Sequence, residues 1–199
     1  MTDWYRRSEW DAEVSADFEA RLSRARPGSR GQYLSLQGYA LLRSRPEQAE
    51  RLLERAVEVA DPSEVPRAAC YLALARVALG NIDDAIEAYD VAIEAERLNP
   101  AFRSTAGIDQ ALLIGLHSRR DRFGSALDQL AMATADNWSL AGLEALAAEA
   151  LIRSDLGDRD LARSKAQAAL DEVPDEAAGA QWAGISIDDL RSRLERIAK

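Results

Sequence analysis

The sequence predicts an all-α protein of stacked helix pairs, closed at each end by a capping helix. Three observations predict it. Alanine and leucine dominate a composition that is 47% hydrophobic and 30% charged, β-branched runs are absent, and six prolines and eleven glycines fall mostly between periodic stretches. From Pro66 to Pro100 apolar residues recur at helical spacing, first at Leu72, Leu74, Val77 and Leu79, then at Ile82, Ile86, Tyr89 and Ile93. Gly80-Asn81 breaks that pattern between two helices and Asn99-Pro100 ends it. Third, Ala85, Tyr89 and Ala92 place two small residues around a large ring on one helix face, and the same offsets recur at Ala49/Leu53/Ala56, Ala126/Leu130/Ala133 and Ala162/Ala166/Ala169. The copies are separated by 36, 41 and 36 residues, and each triplet follows a breaker.

Residues 3 to 25 read as the first helix, capped by Thr2 or Asp3, with Trp10, Val14, Phe18 and Leu22 as its apolar stripe and Trp4 and Tyr5 ahead of it. That stripe needs cover, so residues 1–29 are expected to pack across the first helix pair, or to act as a detachable segment that competes with a ligand. Arg26-Pro27-Gly28-Ser29 ends this helix. Residues 30 to 60 form the first pair: Gln32 to Leu36 opens one helix, Ser44-Arg45-Pro46 breaks it, and Gln48 to Val59 makes the second, followed by Asp61-Pro62.

The second pair is Pro66 to Pro100. The third runs from a helix over about 104–119, through a charged turn, to the copy at Ala126; Asp121 stands where Gly80 predicts a glycine, and no proline closes the unit. The fourth begins near Ser139, turns at Gly157-Asp158 and closes at Pro174. In the tail, residues 175–199, Ser186 followed by Asp189 reads as an N-cap, Ile187, Leu190, Leu194 and Ile197 as an apolar side, and Arg191, Arg193, Glu195, Arg196 and Lys199 as a solvated one. The chain therefore reads as one helical domain over 1–199, with four pairs over 30–174.

Charge and chemistry narrow the function classes. Residues 1–60 balance ten basic against ten acidic residues, while 61–199 hold fifteen and twenty-four, so the net charge of −9 lies wholly in the later part. An acidic surface without aromatic-interleaved basic runs argues against nucleic acid, and no window is apolar enough for a membrane span or a signal peptide. One cysteine, Cys70, excludes an internal disulfide and fits a cytoplasmic protein. Cys70 reads as a small buried residue and His117 as the end of a helix beside Arg119 and Arg120. Asp83-Asp84 and Asp188-Asp189 each begin a helix, where the macrodipole favours acids. With one histidine and no phosphate loop, the expectation is a non-enzymatic protein without metal or cofactor.

An alanine, an aromatic four residues on and a closing proline resemble the tetratricopeptide repeat, in four degenerate copies over residues 30 to about 174, the copy at 66–100 being nearest to the family. Ala69 and Arg76 stand where that family usually has aromatics, while Leu72 and Ala73 keep its leucine and small residue. The opening DWYRRSEWDAE and QYLSLQGYALL is also similar to the start of bacterial repeat proteins. The resemblance implies a right-handed superhelix whose first helices line a concave groove. It places in that groove Leu34 and Leu41, then Cys70, Leu74 and Val77, then Ala111, Gly115 and Ser118, then Leu151, Ser154 and Asp155. The co-chaperone type of repeat grips a carboxylate with Lys, Arg and Asn, and this chain offers Leu34, Gly38 and Leu74 at the comparable places. The implied function is a module that binds an apolar or amphipathic segment of a partner protein. The alternative is an acidic inhibitor or immunity-type protein that covers a basic partner.

Overall fold

The computed structural model describes residues 3–135, 142–173, 181–182 and 185–199, and the fold is all-α. The chain forms two compact units, Met1–Ser104 and Thr105–Lys199.

The first unit holds α1 (Ala12–Arg24), α2 (Pro27–Leu41), α3 (Pro46–Val59), α4 (Val65–Ala78) and α5 (Ile82–Leu98). Neighbours in sequence pack as pairs, α2 on α3 and α4 on α5, with α4 also resting on α3 and on α2. The expected triplets are the seams: Ala49, Leu53, Ala56, Ala85 and Ala92 are wholly buried and Tyr89 nearly so. Gly38 lets α2 close on α3, since a Cβ there would lie 2.5 Å from Leu53 Cγ. Arg76 replaces an expected ring with polar bracing: its guanidinium donates to Glu50 Oε1 and Glu54 Oε1 of α3, each at 3.4 Å, and to the Asp84 carbonyl of α5 at 2.9 Å.

The N-terminal segment departs from expectation. The first helix starts at Ala12, not near residue 3, because Asp11 is its cap and accepts from the Val14 N–H at 2.8 Å. Residues ahead of it form a strap across α2. The buried Gln37 carboxamide accepts from the Arg7 N–H at 3.0 Å and donates to the Arg7 carbonyl at 2.7 Å. The Trp4 ring packs on Tyr33 and Phe18, with centroids 4.9 and 5.4 Å away, so burial of these rings outweighs continuation of the helix. Pro27 likewise opens α2 as its first residue instead of merely ending α1, since a first-turn proline forfeits no helical hydrogen bond.

The second unit holds α6 (Ala106–Leu116), a 3-10 turn (Arg120–Arg122), α7 (Phe123–Ala135), α8 (Gly142–Leu156), α9 (Arg159–Glu172) and α10 (Ile187–Ala198). A two-residue antiparallel pairing of Gln181–Trp182 with Ile185–Ser186 precedes α10. The helix α6 is apolar almost all round and is buried from Ala111 to Leu116, with α7 and α8 packed on it. Pairs α6/α7 and α8/α9 follow, and α10 covers α9 and part of α8. Ser186 caps α10 as expected: its Oγ accepts from the Asp189 N–H at 3.1 Å and donates to Asp189 Oδ2 at 2.7 Å.

One turn recurs in both units. At the ends of α4, α6 and α8 the N–H of Asn81, Arg119 and Asp158 donates five residues back, to Arg76 at 2.9 Å, Ile114 at 3.1 Å and Arg153 at 3.0 Å. The left-handed residues that permit it are Gly80, Ser118 and Gly157, with φ of +79°, +50° and +83°. In the third copy this position is therefore Ser118 and not Asp121, and the 3-10 turn Arg120–Arg122 takes up the added residues before α7. Ser139 and Pro174, expected to open and close the fourth copy, lie outside the described residues.

Candidate functional site

The eleven residues expected to face a groove, five in the first unit and six in the second, meet different fates. Leu34, at 2% exposure, and Leu41 and Ala111, at 0%, belong to the core, because helices on either side cover the faces on which they stand. Leu74 and Val77 are half-buried on α4. Cys70 is half-buried, not enclosed, with Sγ 3.3 Å from Ser104 Oγ; the Ser104 N–H donates to Glu96 Oε1 at 2.9 Å, and burial raises the Glu96 carboxyl above its ordinary range.

Four of the remaining five, Ser118, Leu151, Ser154 and Asp155, line one open cleft of about 580 Å³ in the second unit. Gly115 also lines it and brings the walls together, since a Cβ there would lie 3.1 Å from Leu151 Cβ and 3.3 Å from the Ala148 carbonyl. The cleft lies where the last turns of α6, α8 and α10 meet the first turns of α9. Leu116, Leu151, Ala162 and Ile197 give it apolar surface.

Its basic lining departs from the sequence expectation. Arg159 and Arg163 enter from α9, and Arg193, Arg196 and Lys199 from the end of α10, against the one carboxylate, that of Asp155, that the described residues bring to the lining. The charges of α10 were expected only to keep that helix solvated. Instead Arg193 is half-buried, and its Nη1 donates to the Leu116 carbonyl at 3.0 Å, satisfying an end of α6 from 77 residues away in sequence. Arg163 Nη2 donates to the Lys199 main-chain oxygen at 2.8 Å. A sequence signal existed: Arg159 and Arg163 stand four apart, and Arg193, Arg196 and Lys199 three apart, so each set forms a like-charged row on one helix face.

A smaller cleft of about 280 Å³ in the first unit shows the contrast. There Arg55 is held by two bonds to Glu19, at 2.6 and 3.0 Å, and Arg30 donates to the Ser23 and Ala25 carbonyls. Its arginines are internally committed. In the larger cleft, among the described residues, no Asp or Glu side chain forms an ion pair with any of the five basic side chains, and Asp155 Oδ2 is buried without a hydrogen-bond partner.

Catalytic and metal chemistry find little to build on among the described residues. His117 is the exposed C-cap of α6, and no group of three His, Cys, Asp or Glu side chains is placed to hold a metal ion. No described helix is long and apolar enough to cross a membrane. The chain matches no protein-family model, no curated protein and no solved structure.

Proposed function

We propose that this chain is a non-enzymatic interaction module of tetratricopeptide-like helix pairs, and that it seats an amphipathic segment of a partner protein in the cleft of the second unit. The observation that carries the reading is the convergence of Ser118, Leu151, Ser154 and Asp155 on one open cleft that has both apolar surface and free polar groups. A cleft of this size accommodates several side chains at once. The recurring left-handed turns and buried triplets support descent of the pairs from one repeated unit. An apolar strip flanked by charge fits a segment that presents one apolar and one polar side.

The half-buried Leu151 is the place to test it. Proteins that co-purify with the full chain from its host are compared with those recovered by Leu151→Asp, with helix content checked by circular dichroism. At least a ~tenfold loss of a specific partner is expected, the scale of a buried apolar contact. Full recovery of every partner by a correctly folded Leu151→Asp removes the cleft from the function.

A further inference from the structure

We infer that the cleft selects acidic segments: its ligand is a peptide stretch in which Asp or Glu side chains accompany the apolar ones, and the guanidinium groups of the α9 and α10 rows receive them. This rests on the proposed seat of the partner and adds the chemistry of recognition.

Charge distribution is the first ground. The described residues of the second unit include eleven basic and thirteen acidic ones, yet the cleft gathers five of the basic ones and one acid, so the other described residues of the unit carry six against twelve. A positive recess in a negative surface focuses the field where a ligand enters and steers anionic side chains towards it. The surrounding acid repels an extended polyanion, which disfavours nucleic acid. Among the described residues no aromatic ring lines the cleft, so a nucleobase would find no stacking platform there.

Local stability does not account for the set. Arg193, Arg196 and Lys199 stand at the C-terminal end of α10, where the macrodipole welcomes cations, but Arg159 is the first residue of α9, where it opposes them. Arg159 and Arg196 are exposed and, among the described residues, engage no carboxylate. Two other cations of the unit are engaged: Lys165 lies 2.8 Å and Arg153 3.6 Å from Glu149. Arg163 and Arg193 each use one donor on a main-chain oxygen, which fixes the guanidinium and leaves its other N–H groups for a carboxylate. A fork of parallel donors matches a carboxylate in two-bond geometry.

The test uses a phage-displayed library of random peptides about five helical turns long, panned on the full chain, with fluorescein-labelled winners measured by fluorescence polarisation at ~0.15 M salt. Winners enriched in Asp or Glu among apolar residues are expected. Their Asn or Gln counterparts, and separately Arg159→Gln combined with Arg196→Gln in the protein, should each weaken binding by at least ~tenfold, with the thermal melt of the variant intact. Equal binding of acid and amide peptides overturns the inference while leaving the seat in place, provided Leu151→Asp still abolishes it. Binding indifferent to Leu151→Asp and to the arginine changes overturns both readings. Displacement of the peptide by ~1 mM inorganic phosphate or ATP makes the cleft a small-oxyanion site and overturns the acidic-peptide reading.

Discussion

Two arginines of the same cleft, cut to methionine, should move stability in opposite directions. Methionine keeps an apolar stem of similar reach and a similar helix preference, so the change isolates the charged head. Arg193 donates to the Leu116 carbonyl at 3.0 Å from a half-buried position. A hydrogen bond from a charged donor contributes ~1.5–3 kcal/mol, and partial exposure puts this one at the low end. The favourable place of a cation at the end of α10 adds a few tenths, so Arg193→Met should cost roughly 2 kcal/mol. With a urea slope of ~1–3 kcal/mol/M the midpoint should fall by about 1 M. Arg159, by contrast, sits on the positive end of α9 and four residues from Arg163. Arg159→Met should therefore raise stability by a few tenths to about 1 kcal/mol. Urea unfolding followed by circular dichroism, with slopes compared, measures both. If Arg159→Met loses more than ~1 kcal/mol, that cation has a structural task and the case for a ligand role fails; if Arg193→Met loses nothing, the bond to Leu116 does not hold α10 to α6.

Two further outcomes follow from the packing and the buried acids. Gly38→Ala gains ~1 kcal/mol of helix preference but drives a Cβ to 2.5 Å from Leu53 Cγ, at ~1–3 kcal/mol, so it should be neutral to destabilising, whereas Gly28→Ala, with open space around it, should stabilise; equal melts for the two would contradict the α2–α3 seam. Burial holds the Asp109 carboxyl above its ordinary value of 3.8, and burial together with the nearby Asp109 does the same to Glu144. A raised native value stabilises the protonated form, so the contribution is complete below 3.8 and is lost as pH climbs through the native value. Asp109→Asn, which keeps an acceptor for Thr105, should melt higher than the parent at neutral pH, with the advantage shrinking towards pH 3.8; an advantage that grows on acidification would reverse the assigned sign.

Sequence alone determined the features that a single helix can enforce. The triplets are buried, Ala133 alone among the twelve being only half-buried, because residues three and four apart share one face whatever lies opposite, and Pro46, Gly80, Gly157 and Ser186 act through bonds spanning at most five residues. Where the expectation failed, a distant contact outbid a local preference. Residues 3–10 left the helical path because Gln37 and Tyr33 of α2 offered them main-chain bonds and rings, and Leu34, Leu41 and Ala111 went to the core because both flanks of their helices are covered. Part of the candidate cleft, Gly115, Ser118, Leu151, Ser154 and Asp155, was legible from the register of the copies. The basic part was visible only as two like-charged rows, 30 residues apart at their nearest, with no local reason to meet. Tertiary structure alone decided that they share a cleft, because α10 packs across α9 and α8 and Arg193 reaches the last carbonyls of α6, and side chains far apart in sequence are brought together only by the packing of the helices that carry them.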